Sequence, residues 1–124
     1  MLSYFMLKKL LTSIQILIAF FAMFFPVIVF GEVFINEIMY DLEGSDTDRE
    51  WIEVCNNGSD PVDISSWKLF ESNSNHTLNK IQGDGIISAG GFAIIADNSQ
   101  KFLVDNPQFS GTLFDSSFSL SNEG

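Results

Sequence analysis

The chain of 124 residues is 46% apolar and carries 16 Asp and Glu against 6 Lys and Arg. It is too short for a two-domain enzyme or a long solenoid, and its acidity excludes a nucleic-acid surface, which needs clustered Lys and Arg against phosphates. Residues 1–31 have no acidic side chain and only Lys8 and Lys9 as basic ones, so residues 32–124 hold 4 basic and 16 acidic side chains, a net 4 − 16 = −12.

Met1 to Lys9 is short and positive, and an apolar run from Leu10 to Phe25 ends at Pro26. A basic stretch followed by an apolar core is the layout of a secretory signal peptide. Val29-Phe30-Gly31 places small-to-medium residues where a signal peptidase reads them, which sets expected cleavage before Glu32 and domain boundaries at 1–31 and 32–124. An uncleaved N-terminal anchor helix is the alternative, because Leu10 to Phe30 is about 20 residues, enough to cross a bilayer. Either way residues 32–124 are expected to be secreted or at the cell surface, with membrane contact only through an uncleaved leader. No Cys stands at the end of the leader, which excludes a lipoprotein. Cys55 is the only cysteine, so no intrachain disulfide can form, and its place in an apolar run suits a small buried hydrophobe.

Beyond the leader no window has a helical period, whereas short runs rich in Val, Ile, Phe and Trp recur between turn-forming clusters. The expected strands are Val33–Met39, Glu50–Cys55, Val62–Ile64, Trp67–Phe70, Gly85–Ile87, Phe92–Ala96, Gly111–Phe114 and Phe118–Leu120, with one helical turn near Gln100–Val104. Turn signals about every 8–12 residues predict an all-β, antiparallel sandwich or barrel. Alternation turns Ile52 and Val54 inward. Val33 to Tyr40 has no clean polar face, which predicts a central strand or one covered on both sides. The Asn56-Asn57-Gly58 corner suits a tight turn with positive φ. Trp67 is expected to be a buried anchor whose truncation costs about 3–5 kcal/mol, in a core with Ile35, Ile52, Val54, Leu69 and Ile94.

Five segments in order, Val33-Phe34-Ile35-Asn36-Glu37-Ile38-Met39-Tyr40, Arg49-Glu50-Trp51-Ile52-Glu53-Val54-Cys55-Asn56, Asp60-Pro61-Val62-Asp63-Ile64-Ser65-Ser66-Trp67-Lys68-Leu69, Ile86-Ile87-Ser88-Ala89-Gly90-Gly91-Phe92-Ala93-Ile94-Ile95-Ala96 and Phe118-Ser119-Leu120-Ser121-Asn122, resemble a lamin-tail domain of the exported bacterial type. The resemblance implies an immunoglobulin-like β-sandwich without a catalytic centre, acting as an interaction module in nuclear lamins and as an accessory domain beside hydrolases, nucleases or anchors in exported proteins. It further implies one or two strands after the last segment that are missing here. Their absence means either a fragmentary gene or an open edge able to accept a partner's strand.

Asp41, Glu43, Asp46, Asp48, Glu50 and Glu53 crowd thirteen residues around Gly44. Asp41, Glu43, Asp46 and Asp48 are the calcium candidates, since oxygen ligands on a loop suit that ion outside the cell. The spacing does not match an EF-hand loop, which favours a solvated acidic loop and no cofactor. His76 is the only histidine and lies in a polar stretch, Asn73-Ser74-Asn75-His76-Thr77, with nothing to poise it as a catalytic base. Cys55 and His76 supply two of the three or four ligands zinc needs, and Glu37, Glu50 and Glu53 come without a sugar-binding cleft. Asn57-Gly58-Ser59 and Asn75-His76-Thr77 match the N-glycosylation pattern, by chance if the source is bacterial. The expectation is a non-enzymatic, exported interaction or tethering module of the cell envelope, with a protein or cell-surface glycan as partner and no nucleic acid. The alternative is the N-terminal targeting or adhesion piece of a larger secreted hydrolase or nuclease.

Overall fold

The computed structural model describes residues 4, 6, 8, 9, 11–15 and 32–121, which fall into two units, one before residue 31 and one from residue 31 onward. In the first unit the described residues are helical, and Thr12 and Ser13 donate their hydroxyls to the carbonyls of Lys8 and Lys9, one turn back, at 2.9 and 3.0 Å. Among the described residues no helix is long and apolar enough to cross a membrane. The apolar run past residue 15 and the expected cleavage site at Val29-Phe30-Gly31 lie outside the described residues.

The second unit contains β1 (Val33–Met39), β2 (Trp51–Asn56), β3 (Val62–Asp63), β4 (Lys68–Glu71), β5 (Ser74–Thr77), β6 (Asn79–Gln82), β7 (Ile86–Ile87), β8 (Phe92–Ala96), helix α1 (Ser99–Asp105) and β9 (Thr112–Asp115). A five-stranded sheet runs in the order β1-β2-β8-β9-β6, and the pairs β3-β7 and β4-β5 stand apart from it. All pairings are antiparallel except β8 with β9. That parallel pair departs from the antiparallel expectation, and its cause is the connection over residues 97–111, which holds α1 and returns the chain to start β9 in the direction of β8.

Alternation along β2, β8 and β9 sorts their side chains into two cores. Ile52, Val54, Ala93, Ile95 and Phe114 form one face and pack on Ile64, Leu78, Ile87 and Phe118, with Val62 and Leu69 against the cluster. Ile94, Ala96 and Leu113 form the other face, covered by Phe102 of α1 with Trp51, Leu103 and Phe109 beside it. Phe102 meets Trp51 and Phe109 edge-on, with ring centroids 6.0 and 5.1 Å apart, the geometry aromatic quadrupoles prefer. Asn98 caps α1 by accepting from Lys101 N–H at 3.1 Å.

Several expectations are corrected. Residues 74–77 and 79–82 form strands β5 and β6 although their sequence is polar apart from Ile81. Ser72 and Asn73 take φ of 45° and 62° between paired residues Glu71 and Ser74, the signature of a two-residue type I′ turn that zips β4 to β5. Phe118–Leu120 is not a strand. Phe118 is nevertheless buried, and the backbone N–H of Leu120 donates to Glu50 Oε2 at 2.7 Å.

The corner after β2 closes on a side chain, since none of Asn56, Asn57 and Gly58 takes a positive φ. Buried Asn56 donates to the carbonyls of Asp60 and Ile87 at 2.8 and 2.9 Å and accepts from Gly58 N–H at 2.9 Å. Its backbone holds the following turn, where Gly90 N–H donates to Asn56 O at 2.8 Å and Asn56 N–H to Gly91 O at 3.0 Å.

Nor is β1 a central strand. Among the described residues it lies at the sheet edge, paired only with β2, and Phe34, Ile35 and Ile38 are exposed. Ile35 faces the same side as Val54 but is 50% exposed, so among the described residues it is not covered as Val54 is. Trp67 is 45% exposed: the turn after β3, closed by Trp67 N–H to Ile64 O at 3.0 Å, sends Ile64 into the core instead. Ile52, Val54 and Ile94 are buried and Leu69 is half-buried against the core.

Candidate functional site

The uncovered strip along β1 opens into an apolar groove of about 230 Å³. Its floor is core surface, Val54, Ile64, Leu78 and Ile95. One lip is Val33, Phe34 and Ile35 of β1, and the other is Trp67 with Lys68, Leu69 and Phe70 of β4. Phe70 is 65% exposed, pairs across the hairpin with exposed Asn75, and so turns away from the core while its neighbour Leu69 turns toward it. The lips are alike in one respect: among the described residues β1 pairs only with β2, and β4 only with β5. Each therefore leaves one row of backbone N–H and C=O groups without a strand partner. Among the described residues Lys68 is the only charged side chain lining the groove. The exposed apolar groups are gathered in one concavity, in contrast to the singly scattered ones normal on a protein surface.

A second pocket, about 320 Å³, is acidic. Asp46, Asp48, Glu50 and Asp97 line it with residues 118–120. Glu50 is buried and accepts the Leu120 N–H, which ties the segment after β9 to the start of β2. Burial, first, and then the charges of Glu50, Asp48 and Asp115 push the Asp97 carboxyl up to about 6, against the opposing backbone N–H of Asn98. Asp97 Oδ1 is buried without a hydrogen-bond partner. Arg49 pairs with Asp105 at 2.8 Å and Lys101 with Asp48 at 3.3 Å, so the acidic loop is pinned to α1.

A family model for the Lamin Tail Domain matches residues 27–124. The chain belongs to the lamin tail domain family. No curated protein and no solved structure matches it. The family is a non-catalytic, immunoglobulin-like interaction domain, which agrees with the sheet architecture and with the character of the groove.

In this lamin tail domain the calcium candidates are not gathered into one site. Asp46 and Asp48 reach the acidic pocket, whereas Asp41 and Glu43 do not line it. Among the described residues no group of three or more His, Cys, Asp or Glu is arranged to hold a metal ion. His76 Nε2 lies 3.3 Å from Glu71 Oε2, out of line for a hydrogen bond, on the hairpin and in a different sheet from buried Cys55. Glu37 and Glu53 are cross-strand neighbours, and Glu53 accepts from Asn36 Nδ2 at 2.7 Å. The groove itself was missed from sequence. Its signal was the unbroken apolarity of Val33 to Tyr40, which suggested double burial and instead marks a strand whose second cover is absent among the described residues.

Proposed function

We propose that this lamin tail domain is an exported interaction module that tethers a partner outside the cytoplasm through the groove between β1 and β4. The observation that carries the reading is the cluster of Ile35, Trp67 and Phe70, large apolar side chains left about half or more exposed around one cavity. Burying such groups against a partner supplies about 25 cal/mol per Å² of apolar area, and aromatic anchors seated in a groove dominate binding energy. The basic and apolar leader supports export, and the charge of −12 over residues 32–124 supports a solvated surface elsewhere.

The reading is tested with a photo-crosslinking side chain at position 70 and, as a control, at exposed Gln100 on α1 in the full chain expressed in its host. Crosslinks specific to position 70, together with export of an alkaline phosphatase reporter fused behind residues 1–31, are the expected result. Equal crosslinking at both positions, or a reporter retained inside the cell, would refute it.

A further inference from the structure

We infer that the groove takes an extended polypeptide segment, which adds a strand between β1 and β4 and brings a carboxylate to Lys68. This deepens the proposed function and rests on the groove being the binding face. Two observations choose the occupant. First, both lips are strands with one side unpaired among the described residues, and unmet backbone donors and acceptors are met by another backbone in β-augmentation. An acyl chain offers no hydrogen bonds, and a glycan needs polar side chains that the apolar lining lacks apart from Lys68 and the Trp67 indole.

The second observation is charge. Among the described residues of the domain, Arg49 pairs with Asp105, Lys101 with Asp48, and Lys80 donates to the Asp84 carbonyl, while Lys68 has no such contact. In a domain with 16 carboxylates, Lys68, the one cation without such a contact among the described residues, stands at the mouth of the apolar groove. That is complementary to a segment bearing an acidic side chain or its own C-terminal carboxylate. A second copy of this domain is disfavoured, since two surfaces of −12 repel. Alternate side chains of the added strand would point toward Ile35 and Trp67, so the segment is apolar at every second position.

The test uses the full chain fused to a soluble carrier, with the carrier alone as control, and a randomised pool of ten-residue peptides. The pool has Val, Ile, Leu or Phe at alternate positions, Thr or Ser between them, and a free carboxylate at the end. Retained peptides are expected to slow hydrogen exchange at β1 and β4 amides. Amidating their C-terminus is expected to weaken them about two- to fivefold, the range of a partly exposed ion pair, and Lys68→Gln is expected to abolish that difference between free and amidated forms. N-methylation of alternate peptide amides, which leaves the protein untouched, is expected to weaken binding at least tenfold. Equal binding of the N-methylated peptides, displacement of them by palmitate, or concentration-dependent dimerisation that excludes them would overturn the inference. Retention of no peptide, with position-70 crosslinks still present, would overturn the strand and leave the groove reading standing. Loss of both would end both.

Discussion

Asp97→Asn is expected to stabilise the domain at neutral pH and to do nothing at acid pH. Asp97 directly follows β8, its N–H donates to Glu50 O at 3.0 Å, and its carboxyl shares the acidic pocket with Glu50 and Asp48, with Oδ1 unpartnered. Its pKa stands at about 6 against an ordinary 3.8. For a fully sequestered group that gap, at 1.36 kcal/mol per pH unit, amounts to about 3 kcal/mol. Solvent reaches this carboxyl and screens the effect, so about 1 kcal/mol is the working magnitude.

The sign follows from proton uptake. Between about pH 4 and 6 the folded state holds the proton more tightly than the unfolded chain, so this group favours folding below pH 3.8 and loses that contribution as pH rises through 6. Asparagine keeps the shape without the charge. At pH 7.5 the variant should melt about 4–8 °C higher, the shift that 1 kcal/mol produces in a domain of this size, and at pH 4 the two proteins should melt together. Calorimetry of both proteins over that pH range checks it. A variant no more stable at pH 7.5, or a gain equal at both pH values, would refute the account of the pocket.

Truncating Trp67 to Ala should cost less than about 1.5 kcal/mol, whereas Ile64→Ala, one turn earlier and buried, should cost about 2–5; urea titrations compare them, and a reversed order would restore Trp67 to the core. Asn56→Asp should destabilise by at least about 3 kcal/mol, because a carboxylate would replace the amide that donates to the Asp60 and Ile87 carbonyls inside the protein. Thermal melting near neutral pH reads this out, and a loss below about 1 kcal/mol would mean that water or repacking satisfies the site. Millimolar calcium should raise the melting temperature by no more than about 2 °C, since among the described residues no selective site for the folded state is assembled. A larger rise, reversed by chelator and absent from the Asp46→Ala, Asp48→Ala double variant, would show otherwise.

The sequence by itself determined the strands with strong local pattern. Val33–Met39 and Phe92–Ala96 keep their expected bounds, and the inward facing of Ile52 and Val54 follows from a side-chain period of two. The order of five motifs was enough to indicate the family, because spacing and turn chemistry are local properties of the chain. Tertiary structure alone decided which strand lies at an edge. Ile35 and Val54 have the same chemistry and share one face, yet only Val54 is buried, because burial depends on whether a second layer passes overhead. Likewise β5 is polar along its length and gains strand geometry from pairing with β4 across a left-handed turn, not from burial. The groove, the carboxyls around Asp97 and the place of Lys68 beside the groove all arise from residues distant in sequence. Their energies come from desolvation and proximity, which no one-dimensional pattern encodes.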